Sequence, residues 1–129
     1  MRNNKIISVY GSLLVGLGNH GVIRGRCELL GKTTVKIPYK MRSLGGFPAL
    51  TPSVEINEVE VEVFKVNDTT YESVERLEGF PHFYQKFAVD TEFGASEVYV
   101  INDGYDNAPE VPKTKGVYEW RTFLENRNA

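Results

Sequence analysis

Two short segments hold the residues whose types and spacing suit chemistry. The first is Val9-Tyr10-Gly11-Ser12-Leu13, where a β-branched run from Lys5 to Tyr10 stops at a glycine. A strand ending this way leaves successive backbone N–H groups without ladder partners. Gly11 admits torsions closed to other residues and lets a ligand approach the main chain closely. Such a turn can hold a small anion, a carboxylate for instance; it can equally be a solvated strand-to-loop turn. The second segment is Arg76-Leu77-Glu78-Gly79, at the end of the strongest helical pattern in the chain. At about 100° of rotation per residue, Glu78 falls close to Val74 and only modestly off the stripe of Tyr71, Val74 and Leu77. That spacing turns a carboxylate towards the interior, while Glu75 falls nearer the edge and Glu72 is taken up by the helix cap. The negative end of the helix dipole and partial burial both raise its pKa towards neutrality, which suits proton transfer. The alternative is a side chain that curls past Gly79 into water, or pairs with Arg76, Lys86 or Arg24.

Other chemistries find less support. Ser12 has no Ser-His-Asp setting, and neither His20 nor His82 is flanked by residues that activate a serine. The glycines from Gly11 to Gly18 lack the Lys-Ser/Thr of a phosphate-binding loop and do not fit the dinucleotide spacing. Glu58, Glu60 and Glu62 lie two apart on a strand, which reads as a solvated face rather than a metal site. Cys27 is the only cysteine, so no internal disulfide and no Cys-x-x-Cys site exists; it reads as a core or strand residue. No metal and no cofactor is expected.

The elements that must position these segments follow from pattern. Lys5 to Tyr10 is a first strand, and Asn19 caps a short helical turn through Val22 and Ile23 that ends near Gly25. Strands run from Arg26 to Leu30 and from Thr33 to Tyr39, divided by Gly31 and bounded by Pro38. Gly45-Gly46-Phe47-Pro48-Ala49-Leu50 is a turn leading into an apolar stub. Val59, Val61 and Val63 alternate with Glu58, Glu60 and Glu62, predicting a half-buried strand with a wet acidic side. Thr69 and Glu72 form a capping box for a helix that Gly79 stops, with Tyr71, Val74 and Leu77 packing on the sheet. Strands at about 83–93 and 97–101 precede a loose surface loop from Asn102 to Lys115. Trp120, Phe123 and Leu124 mark a short amphipathic helix within Val117–Asn126. The fold class is α+β, a closed or nearly closed small mixed β-barrel with a few short helices.

Composition bounds the rest. The 129 residues fit a single domain spanning 1–129, large enough to bury a core without staples. An apolar fraction of 41%, a charged fraction of 25% and a net charge of -2 are ordinary for a globular chain. They leave no basic field for nucleic acid. No apolar run approaches a membrane span and no signal-peptide pattern opens the chain, so the expected location is cytoplasmic and no membrane partner is expected. Nothing in the sequence fixes the oligomeric state.

Taken together, the two segments resemble the gamma-glutamylcyclotransferase-like superfamily, of the gamma-glutamylamine cyclotransferase type. Val-Tyr-Gly-Ser-Leu after a first strand, with Gly16 and Asn19 downstream, is similar to its Tyr-Gly-(Ser/Thr)-Leu and Gly-x-x-Asn block. Residues 76–86 match the glutamate, Gly, Pro and Tyr of its Leu-Asp-x-x-Glu-Gly-x-Pro-x-x-Tyr-x-Arg block in order and spacing. Phe47-Pro48-Ala49-Leu50, the Val59–Val66 strand and Gly116 to Phe123 resemble the connecting segments, so the likeness spans nearly the whole chain.

The resemblance implies a cavity beside Tyr-Gly-Ser-Leu, with Glu78 as acid/base. It implies that Tyr10, Gly11, Ser12, Leu13 and Tyr84 bind a small gamma-glutamyl substrate, from which 5-oxoproline and a free amine would be released. The sequence departs from the pattern at Lys86 for arginine, at Glu75 for aspartate, and at Leu14 or Val15 for a basic residue. A non-catalytic family member that binds or sequesters a small metabolite is the alternative.

Overall fold

A long hairpin organises the chain, because two β-rich stretches flank the Gly45-Gly46 turn. The computed structural model describes residues 4–127 apart from 12, 15, 16, 18, 19, 24, 81 and 103. The described elements run β1 (Asn4–Val9), a 3-10 turn (His20–Val22), β2 (Cys27–Ser43), β3 (Pro48–Asn67), α1 (Asp68–Glu78), β4 (Gln85–Thr91), β5 (Gly94–Val100), β6 (Val117–Tyr118) and α2 (Trp120–Arg127). Asn19, the expected cap of the short turn, lies outside the described residues.

The two strands expected before residue 40 are one. Gly31 and Pro38 do not end β2; each marks a register shift against β3, between Leu29 and Gly31 and between Ile37 and Tyr39. The sheet tolerates Pro38 because β2 is an end strand in the order β2-β3-β1-β5-β4, where a missing N–H leaves no central ladder broken. At Gly31 the Phe93 ring crosses the backbone so closely that an added Cβ would stand 2.3 Å from its Cζ. A side chain there would have to displace the Phe93 ring.

The sheet is mixed. β3 is antiparallel to β1 and β2, β4 to β5, while β1 with β5 and β3 with β6 are parallel. It is α+β as expected but not a closed barrel, since no ladder joins β4 to β2 among the described residues. The free edge of β2 takes another partner. Ser43 N–H donates to the Pro109 carbonyl and Val111 N–H to the Met41 carbonyl, both at 2.8 Å. The Arg42 guanidinium donates to the Ala108 carbonyl, and Val111 is buried. The segment read as a loose surface loop is thus partly tied down, and it occupies the edge that a closing strand would need.

Two apolar clusters lie on opposite faces. One gathers Val35, Ile37, Val59, Val61, Val63, Val98, Tyr118 and Trp120; the other puts Ile7, Val9, Phe64, Val66, Tyr84 and Tyr99 under Val74 of α1 and Leu13, Leu14 and Ile23. Val59, Val61 and Val63 are fully buried as their alternation predicts. Their acidic neighbours are not all wet: Glu62 is 4% exposed. Arg121 of α2 covers it, its Nη1 standing 3.1 Å from the carboxylate, a contact that local periodicity does not encode.

The cap of α1 differs by two residues from the expected box. Asn67, in an extended conformation where β3 ends, accepts from the Thr70 N–H at 2.8 Å. Thr69 already lies inside the helix. The C-terminal stop is as read: Gly79 is left-handed (φ 65°, ψ 31°), with Gly79 N–H donating to Arg76 and Phe80 N–H to Glu75.

Candidate active site

The Gly79 turn decides what surrounds Glu78. Past it the chain folds back, so that Phe83 N–H donates to the Gly79 carbonyl at 2.7 Å and Tyr84 N–H to the Glu78 carbonyl at 3.2 Å. Phe83 and Tyr84 therefore land beside the last helical turn. Facing them are the end of β1 and the start of β3, where Gly11 meets Pro48. A Cβ on Gly11 would stand 2.8 Å from Pro48 Cγ. Two reasons were expected for this glycine, unusual torsions and close approach of a ligand; its φ is not positive, and it is close approach, by Pro48, that demands it.

Between these walls lies a cavity of about 320 Å³. Tyr10, Gly11 and Leu13 line one side, Phe47 and Pro48 another, and Leu77, Glu78, Phe83, Tyr84 and Tyr99 the rest. Glu78 and the Tyr10–Leu13 turn, sixty-odd residues apart in sequence, thus share one hollow. Ser12 lies outside the described residues. Leu77, expected to pack on the sheet, is instead part-exposed at the cavity wall.

Glu78 is half-buried, and among the described residues its carboxylate takes no hydrogen bond or ion pair. Burial with no compensating charge pushes its pKa from 4.5 up to about 7. The alternative partners are engaged elsewhere: Arg76 donates to Ser73, and Lys86 holds Glu75 at 2.5 Å. Arg24 lies outside the described residues. Lys86 and Glu75, the two departures in the second block, are therefore each other's partner. Lys86 also sits 4.1 Å above the Phe80 ring and 4.4 Å above Tyr71, and neither Lys86 nor Glu75 lines the cavity. Burial alone would lower the Lys86 pKa, but the bonds to Glu75 and Tyr71 raise it overall.

The tyrosines frame the hollow with their rings. Tyr10 donates its hydroxyl to the Tyr99 carbonyl at 2.6 Å, and Tyr84 donates to the Pro48 carbonyl at 2.7 Å. Burial first drives both phenols above their ordinary pKa, helped at Tyr10 by Tyr84 and then Glu78, and at Tyr84 by Glu78. Tyr99 was not singled out in the sequence. The residue lines the cavity, its hydroxyl is buried with no hydrogen-bond partner among the described residues, and no local motif announces it. Phe47 and Phe83 were read only as motif neighbours, yet both reach the cavity.

His20 and His82 are not part of the lining. The His20 ring is 2.9 Å from the Leu13 carbonyl through Nδ1 and tilts against Phe64, which steadies the turn; His82 is exposed. Burial pushes the Cys27 thiol up, away from a nucleophile's range. Among the described residues no three His, Cys, Asp or Glu side chains group as a metal site, and no helix is long and apolar enough to cross a membrane.

The family described as gamma-glutamyl cyclotransferase, AIG2-like, matches residues 7–121. The chain belongs to that family. A protein of Vibrio cholerae serotype O1 named "Putative gamma-glutamylcyclotransferase" is 30% identical over 98 residues, covering 76% of this chain and 83% of the relative. Among solved structures, an uncharacterized protein from Pyrococcus horikoshii superposes with a TM-score of 0.74 at 22% identity, covering 96% of this chain and 97% of its own. An AIG2-like protein from Mus musculus does so with a TM-score of 0.62 at 18% identity, covering 91% and 95%. At these identities the two structures show the shared fold.

Proposed function

We propose that this family member is a gamma-glutamyl (amine) cyclotransferase, with Glu78 as its general acid/base and the Tyr10–Leu13 turn as the seat of the substrate's α-carboxylate. One observation carries the reading: a carboxyl group pushed to about pKa 7 lines the same small cavity as the glycine turn.

The chemistry asks little else. Ionised Glu78 takes a proton from the substrate's α-ammonium group, and the freed amine attacks its own γ-carbonyl carbon. A ring C–N bond forms, the attacking nitrogen's surplus proton passes to the leaving nitrogen, and the old C–N bond breaks. The proton held by Glu78 then goes to the departing amine or to water. The products are 5-oxoproline and an amine, and no water is consumed. Because attack is internal, holding one conformer contributes roughly 7–11 kcal/mol. Amides of the Gly11–Leu13 turn would anchor the carboxylate.

The test is release of 5-oxoproline from L-γ-glutamyl amides. Wild-type protein should turn them over, and kcat/KM should fall about tenfold per pH unit below 7 as Glu78 protonates. Saturable binding without turnover would replace this reading with that of a metabolite-binding protein.

A further inference from the structure

The mouth of the cavity is aromatic and half-exposed, which folding by itself does not require. Phe83 is its hub: its ring centroid lies 4.9 Å from Tyr84, 5.8 Å from Tyr105 and 6.3 Å from Phe47, each pair edge-on. Phe47, Phe83, Tyr105 and Leu77 remain 36–47% exposed. Apolar side chains gathered at the rim of a cavity, rather than scattered, mark contact with an apolar ligand. Among the described residues Glu78 is the one charged side chain in the lining, so the lining itself offers a carboxylate no counter-charge.

The cyclotransferase reading says which part of a substrate reaches this rim. Glu78 and the Gly11 turn, which it gives to the γ-glutamyl half, line the cavity of about 320 Å³. The group attached to the γ-nitrogen then lies towards the aromatic mouth. We propose that the leaving group is an apolar amine, aryl or alkyl, packed edge-to-face against Phe83 and beside Phe47. This assignment rests on the cyclotransferase reading to decide which half points inward.

The test uses four L-γ-glutamyl amides that differ only in the amine: methylamine, benzylamine, 1,5-diaminopentane and glycine. Wild-type turnover is read by 5-oxoproline release, and calorimetry reads binding of the same compounds to Glu78→Gln. The benzylamide should exceed the methylamide, aminopentylamide and glycine amide about tenfold in kcat/KM, with the same order in binding. Phe83→Leu and, at an exposed position that does not threaten folding, Phe47→Ser should each bring the benzyl-to-methyl ratio within about threefold. Turnover with no benzyl preference, or faster turnover of the aminopentylamide or glycine amide, overturns the apolar leaving group and leaves the cyclotransferase intact. Benzyl-selective binding with no turnover of any amide does the reverse: it supports the apolar subsite and overturns the cyclotransferase. Neither turnover nor selective binding overturns both.

Discussion

Glu62 and Glu78 are carboxylates withdrawn from water at two sites, and they have opposite surroundings. Glu62 lies under α2, 4% exposed, with the Arg121 guanidinium 3.1 Å away. Glu78 lies at the cavity wall with no counter-charge among the described residues, and its pKa rises to about 7. A paired carboxylate fastens elements together. An uncompensated one makes the folded chain less stable whenever it ionises, but holds and releases a proton near neutral pH. The difference separates the part of the molecule that holds α2 to the sheet from the part suited to chemistry.

Exchanging the two roles should break the comparison in predictable ways. The largest effect belongs to Glu78→Gln, which should lower kcat/KM for a γ-glutamyl amide by about 10²–10⁴-fold while the far-ultraviolet spectrum is unchanged. Next, Arg121→Met should destabilise the chain by about 2–4 kcal/mol in urea unfolding, because it takes a guanidinium away from the buried Glu62 carboxylate, and should leave KM within about twofold. Gly31→Ala should cost about 1–3 kcal/mol, since the Phe93 ring must leave its place.

A pH-dependent effect sharpens the comparison most. Glu78 binds its proton more tightly folded (about 7) than unfolded (4.5). The stability tied to that proton is complete below pH 4.5 and is lost as pH rises through 7. Glu78→Gln should therefore be about 3 kcal/mol more stable than wild type at pH 8 and no more stable at pH 4. Glu62→Gln should show no such gain at pH 8.

The contrast between these glutamates was half legible in the sequence. Helical spacing from Tyr71 and Val74 puts Glu78 on the inner side, and Gly79 announces the stop, because both follow from local geometry. Glu62 was misread as solvated, since what covers it comes from residue 121. The same limit explains the other departures. Asn67 caps α1 because β3 runs on to that residue, and the run of β3 depends on pairing with β1 and β2. Gly31 and Pro38 looked like breaks because a sequence does not show that the partner strand absorbs them as register shifts. The sheet is not closed among the described residues, and residues 109–111, read as a surface loop, pair with the end of β2. Of the site, Tyr10, Gly11, Leu13, Glu78 and Tyr84 were legible through their two motifs. Tyr99, Phe47, Phe83 and Leu77 entered only through long-range folding.

The most direct measurement is a carbon-13 NMR titration of the Glu78 side-chain carboxyl, assigned by comparison with Glu78→Gln. A midpoint near 7 is the predicted result. A midpoint near 4.5, the ordinary value for a solvated glutamate, would contradict the claim that the cavity keeps this proton.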